Sequence, residues 1–326
     1  MILRRLGGMI VSCAALAAGT AAPAAAQPQP SPCPTQAAFD WQGRSVFQRV
    51  TVQAAGTAAY EGTVLRPSGP RRTLGRRPGV VLMHGLGGSQ CGLWWAARHL
   101  AGHGYVTLVI THDGDLPGHV QAVRTGVRWL RSSANPYRGV TLADRIGVAG
   151  HSQGSQAAML AQDEPGVQAL AAIDSLKANA EGDAAAAVGC LVPRNPITPR
   201  VPALGFAMDF PCQNRATETP PDLKKTGHAL WKAAGQPTMT LVMRGYEHND
   251  FTARGSEAQL RDVGHFLLAW FDRYLRRDRA ATKRVLARRV NGVRTRQLLS
   301  TTYRSAAFLP GRIDCEDYRR CLRPRR

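Results

Sequence analysis

Residues 148–159 read "VAGHSQGSQAAM". The segment "RIGVAG" before the serine has the short apolar texture of a buried strand. "QGSQAAMLAQD" after it suits a helix. Ser152 therefore falls at a strand-to-helix handover, in the pattern Gly150-His151-Ser152-Gln153-Gly154. In that setting Gly-x-Ser-x-Gly forces a tight, strained turn that lifts the serine Oγ clear of the sheet. Side chains at 150 and 154 would collide with the adjoining strand and helix. The helix also aims its first N–H groups and the positive end of its dipole at the same spot. Ser152 is thus the candidate nucleophile, against the plainer reading of an incidental turn serine.

Working outward, strand and helix textures alternate. "SVFQRVTVQ" and "YEGTVLRP" read as two strands, and "VVLMHG" at 80–85 as a third that stops at glycine. A helix is predicted across "LWWAARHLAGHG", ending at Gly102 or Gly104, then a strand at 105–111. Val120, Val123, Val127 and Leu130 recur at helical spacing within 119–133. "VQALAAID" and "VPALGFAMD" read as strands, "DLKKTGHALWKAA" as a helix, "TMTLVMRG" as a strand, and 255–275 as a long amphipathic helix. Such alternation predicts an α/β fold, a mostly parallel central sheet with helices on both faces. Sites in these sheets gather at the carboxyl ends of the strands.

A serine hydroxyl needs a base to accept its proton. His248 lies in the short loop between the last predicted strand and the final helix, "TMTLVMRGYEHNDF", where it can swing over the strand ends. His228 and His265 fall inside predicted helices, and His84 and His151 read as loop architecture. The base in turn needs a carboxylate on its other ring nitrogen. Asp209, ending "VPALGFAMD", gives the chain order Ser152, Asp209, His248 that the motif leads one to expect. Asp174, ending "VQALAAID", is the alternative acid; Asp250 is too near His248 in sequence to orient its ring easily. An oxyanion hole is needed as well. The backbone N–H of Gln153 is one expected donor. The other is Leu86, in the glycine-rich "HGLGG" at 84–88.

With these residues assembled, the chain resembles the α/β-hydrolase superfamily from about 46 to 275, on "HGLGG", "GHSQG", an aspartate after the next-but-one strand, and "EHNDF" before the last helix. It is similar to dienelactone-hydrolase-like and to cutinase- or polyester-hydrolase-like secreted enzymes. "LWWAARHLAGHGYVTLVITHD" and "AWFDRYLRRD" resemble segments of their folds. The resemblance implies hydrolysis of carboxylic esters through an acyl-enzyme, with no cofactor. The same triad would serve a peptidase or amidase, and a non-catalytic binding protein on this fold is the third alternative. His151 and Gln153 depart from the bulky aromatic or methionine that usually surrounds the serine in the polyester hydrolases.

The termini have their own chemistry. Arg4 and Arg5, an apolar run from Leu6 to about Ala22, and Ala24-Ala25-Ala26 make residues 1–26 a signal peptide, with export to the periplasm or exterior expected. The rival reading is a lipoprotein signal anchored through Cys13. Residues 27–45 read as a proline-rich linker, 46–275 as the catalytic domain, 178–200 as a small cap, and 276–326 as a basic C-terminal extension. Cys33, Cys91, Cys190, Cys212, Cys315 and Cys321 follow the signal, an even set that predicts disulfides, with the neighbours Cys315 and Cys321 the first pair expected. Much of the net charge of +20 lies in "RRDRAATKRVLARRVNGVRTR". A solvated basic surface is the plainer reading and electrostatic adhesion to anionic surfaces the alternative; no aromatic-interleaved motif points to a specific nucleic-acid partner. His112, Asp113, Asp115 and His119 carry no recognised metal-ligand spacing and read as a polar rim loop. Trp94 and Trp95 either line an acyl pocket or pack in the core. A monomer is expected, acting on a small or polymeric ester.

Overall fold

The computed structural model describes residues 33, 45–174, 176, 197–208 and 222–308. In chain order they form β1 (Ser45–Val52), β2 (Tyr60–Pro67), α1 (Arg71–Leu74), β3 (Arg77–Met83), α2 (Trp94–Gly102), β4 (Val106–Thr111), α3 (Leu116–Arg131), β5 (Thr141–His151), α4 (Gln153–Leu160), β6 (Val167–Ile173), β7 (Ala203–Met208), α5 (Asp222–Ala233), β8 (Thr238–Met243), α6 (Glu257–Tyr274), α7 (Ala281–Val285), β9 (Arg289–Val290), β10 (Val293–Arg294), α8 (Thr295–Leu298) and β11 (Leu299–Arg304). Two 3-10 turns, Gln90–Leu93 and His248–Phe251, border the site described below.

Among the described residues, nine strands make one sheet in the order β1-β2-β4-β3-β5-β6-β7-β8-β11. β4 through β8 run parallel. β1, β2 and β11 join antiparallel at the two edges. The protein is therefore α/β with a mostly parallel central sheet. Register aligns the strand ends: Met83 pairs with Gly150, His151 with Ile173, Ile173 with Phe206, and Met208 with Met243. The residues that follow β3, β5, β6 and β8 thus leave the sheet along one edge.

The strand period of two divides the core. In β3, Val80 and Leu82 join the cluster built with α2 and α6, including Trp95, Leu100, Phe266 and Trp270. Val81 and Met83 point the other way, into the cluster of α3 and α4, with Val123, Val127, Leu130 and Met159. Each such side chain contributes about 1.5–3 kcal/mol by leaving water, so the sheet is a rigid platform for whatever stands at its edge. Trp94 and Trp95 are core residues. Both are buried, and the Trp95 indole N–H donates to the Phe251 carbonyl at 3.1 Å.

The sheet continues past 275, the boundary drawn from sequence. β11 pairs with β8, and Phe308 packs on Trp270 with ring centroids 5.2 Å apart. Arg276 and Arg284 converge on the buried carboxylate of Asp272, which also accepts the Tyr105 hydroxyl at 2.6 Å. The residues up to 308 read as a basic extension are thus a folded edge of the domain. Arginine composition masks its buried apolar positions, Val285, Val290, Leu299, Tyr303 and Phe308.

One disulfide joins Cys33 to Cys91. The signal peptide, Cys190, Cys212, Cys315 and Cys321, most of the expected cap (178–196) and Asp209 lie outside the described residues. No helix among the described residues is long and apolar enough to cross a membrane.

Candidate active site

β5 ends at His151 and α4 begins at Gln153, leaving Ser152 alone between them. Its backbone has φ 54° and ψ −120°, a region that L side chains avoid. Holding a residue there costs on the order of 1–3 kcal/mol and persists only where the surroundings over-determine it. The surroundings here are two glycines. A Cβ at Gly150 would lie 2.1 Å from the Gly154 carbonyl oxygen, and one at Gly154 would lie 2.2 Å from that of Met83. The turn is further pinned by the Ser152 N–H on the Ile173 carbonyl at 3.0 Å.

That hydrogen bond brings the serine beside the end of β6, where the chain turns at Asp174 (φ 47°). Aspartate tolerates this left-handed conformation better than most residues. The Asp174 carboxylate is buried. Oδ2 meets His248 Nδ1 at 2.5 Å, and Oδ1 accepts the Met208 N–H at 3.3 Å. A carboxylate accepts only, so Nδ1 of His248 is the donor, and in the neutral ring Nε2 then keeps its lone pair.

The His248 loop is held on several sides. His151 Nε2–H donates to the His248 carbonyl at 2.9 Å, and the two imidazoles lie 4.5 Å apart centre to centre. Trp95 holds the Phe251 carbonyl, and the Ala253 N–H reaches the Gly92 carbonyl at 3.0 Å. Asp250 accepts the Glu247 N–H at 2.9 Å, capping its own turn. Residues 151, 152, 174 and 248 therefore form one cluster at the strand ends.

The structure accordingly gives His248 to Asp174, the alternative of the two carboxylates weighed from sequence. Asp209 is one position beyond β7, outside the described residues. The Nδ1 proton of an imidazole is single, and Asp174 already takes it.

Two segments beside the serine carry the expected backbone donors. Gln153 opens α4, so its N–H has no intrahelical acceptor. Leu86 lies in the turn after β3. The ideal Cβ position of its neighbour Gly85 falls 3.0 Å from Ser152 Cβ. The Leu86 side chain is 68% exposed, one of two large apolar side chains so exposed among the described residues. His84 behind this turn is buried, and burial pulls its pKa below the usual histidine value, partly offset by the Gly85 carbonyl.

The polar stretch 112–119 does structural work. Asp115 accepts the Gly118 N–H at 3.0 Å and so caps α3, while His119 Nδ1–H donates to the Asp115 carbonyl at 3.0 Å. Burial lowers the His119 pKa to about 4. One ligand-type atom each of His151, Asp174 and His248 lies within 4.8 Å of the others, close enough in principle to hold a metal ion. In the arrangement present, His151 Nε2 and His248 Nδ1 both carry protons rather than free lone pairs.

His151 and His84, which read from sequence as loop architecture, make hydrogen bonds at the site. Their adjacency to Ser152 and to the glycine turn was the available signal; the bonds they make needed three dimensions. No protein-family model matches the chain, and no curated protein matches it.

Proposed function

We propose that the protein is a serine hydrolase of carboxylic esters, with the α/β-hydrolase fold and the triad Ser152, His248 and Asp174. The reading rests chiefly on one observation: a serine held at φ 54° between two glycines, in the same cluster as a buried carboxylate–imidazole pair 2.5 Å apart.

Ser152 Oγ attacks the ester carbonyl while His248 Nε2 takes its proton. The carbonyl pair moves onto oxygen, where the N–H groups of Gln153 and Leu86 receive the charge. Collapse of this intermediate breaks the ester C–O bond, and His248 returns the proton to the departing alcohol. A water molecule then gives a proton to His248 and attacks the acyl carbon. The acid leaves and Ser152 regains its proton. Asp174 keeps the His248 tautomer and stabilises the imidazolium at each stage. These steps call on the protein's own side chains, two backbone N–H groups and water. The Cys33–Cys91 disulfide supports an oxidising compartment, in keeping with export. The exposed Arg277, Arg279, Arg289 and Arg294 favour adhesion to anionic surfaces.

A panel of p-nitrophenyl esters of rising acyl length, run beside peptide amides, tests the reading. Ester turnover abolished by Ser152→Ala is the expected result. A folded wild type inert on every ester, or equal turnover by the variant, would overturn it.

A further inference from the structure

We propose, on the hydrolase reading above, that His84 is a positioning residue for the oxyanion hole. It fixes the direction of the Leu86 N–H by clamping the carbonyl on the other side of the same peptide bond. The contacts form a chain. His84 Nδ1–H donates to the Gly85 carbonyl at 2.6 Å, and the Gly88 N–H donates to the same oxygen at 3.1 Å. The second bond closes a tight turn with Gly87 at φ 64°, a conformation that suits glycine.

A trans peptide is planar, so its C=O and the following N–H point in opposite directions. Gly85 C=O and Leu86 N–H belong to one peptide. With the oxygen held toward His84, the Leu86 N–H must face away from that ring. The Gly85 backbone meanwhile abuts Ser152, as the 3.0 Å Cβ approach shows. Leu86 N–H has no hydrogen-bond acceptor among the described residues. Two donors on one oxygen resist the peptide flip that would turn Leu86 N–H away.

The ring itself is fixed. The His112 N–H donates to His84 Nε2 at 3.1 Å, so Nε2 must be the acceptor and Nδ1 the donor. His119 packs edge-on against His84, with centroids 5.2 Å apart. Burial favours the neutral ring, the only form that can serve both bonds at once. A donor at the Nδ1 position is therefore what the turn requires of residue 84.

Two variants separate that donor from the rest of the ring. The amide of His84→Asn can place an N–H where Nδ1 stood. That of His84→Gln reaches instead toward Nε2, keeps an acceptor for His112 and leaves Gly85 O without its side-chain donor. Loss of an oxyanion donor lowers kcat about 10²–10³-fold. A misdirected one should cost His84→Gln about 10- to 100-fold in kcat at unchanged KM, with an equal loss in affinity for an alkylboronic acid. His84→Asn should stay within about threefold of the wild type. His84→Gln within threefold of wild type, or equal losses in both variants, would overturn the proposal. If His84→Gln does not fold, imidazole ¹⁵N NMR of the wild type decides: an Nδ1–H tautomer at His84 is required, and Nε2–H refutes it. The two readings fail separately. Turnover insensitive to Ser152→Ala removes the hydrolase; Ser152-dependent turnover insensitive to His84→Gln removes only this inference.

Discussion

Asp174→Asn should cripple turnover while leaving the fold in place. Asparagine is the right probe because it tolerates the φ of 47° that residue 174 adopts, and its amide oxygen can still accept the Met208 N–H. What is lost is a full negative charge 2.5 Å from His248 Nδ1, on a pair mostly shielded from water, the carboxylate 6% and the imidazole 20% exposed. Two unit charges about 4 Å apart, centre to centre, interact by about 4 kcal/mol at an effective dielectric of about 20. That attraction exists only once His248 is protonated, so it acts on the transition state. A loss of about 4 kcal/mol corresponds to about 10³-fold in rate. An amide turned with its NH2 toward Nδ1 would also impose the wrong tautomer and add about tenfold more. The expected outcome is a fall in kcat of about 10³–10⁴-fold with KM little changed, read by p-nitrophenyl ester kinetics beside a thermal melt. Asp209→Asn, run in parallel, should stay within about tenfold of wild type. An active Asp174→Asn enzyme with a dead Asp209→Asn enzyme would refute the reasoning.

Other perturbations test other parts. Gly154→Ala drives a methyl against the Met83 carbonyl oxygen, at 2.2 Å before any adjustment, and neither backbone can yield cheaply. A loss of about 2–3 kcal/mol in stability is expected by urea unfolding, with activity lost as the elbow shifts; a neutral substitution would contradict it. Leu86→Ser removes an exposed apolar side chain beside the site. KM for long acyl esters should rise about 5- to 30-fold with acetate esters unaffected, and a uniform change across chain lengths would argue against substrate contact. His99 and His119 are buried, and burial lowers their pKa values to about 3 and about 4. The unfolded chain takes up those protons near pH 6.5, the folded one only far lower. Their contribution is therefore complete above pH 6.5 and lost as pH falls toward 4, at up to about 1.4 kcal/mol per pH unit for each ring. Urea midpoints from pH 7.5 to 4.5 should fall accordingly, more steeply in the wild type than in His119→Phe; parallel curves would count against the assignment.

Much of this was legible in the chain because it is local. The glycines around Ser152, the apolar strands and the helical spacing of Val123, Val127 and Leu130 all act within a few residues. The choice between Asp174 and Asp209 is different. In sequence each ends a predicted strand between Ser152 and His248, so chain order alone fits either. Which carboxylate meets His248 depends on the turn after β6 and on side-chain reach, which no spacing reports. The Cys33–Cys91 bridge spans 58 residues with nothing local to announce it. In 276–308 the arginines dominate the composition, and the few apolar positions that seat β11 on β8 carry no strong periodicity. His84 and His151 sit beside recognisable motifs, but their contributions are hydrogen bonds to carbonyls one and ninety-seven residues away.

Fluorophosphonate labelling followed by tryptic mass mapping bears most directly on the central claim. One equivalent should attach to the peptide Ile146–Lys177, at Ser152, and Ser152→Ala should take none. A folded protein that remains unlabelled, or an adduct on another residue that survives Ser152→Ala, would contradict it.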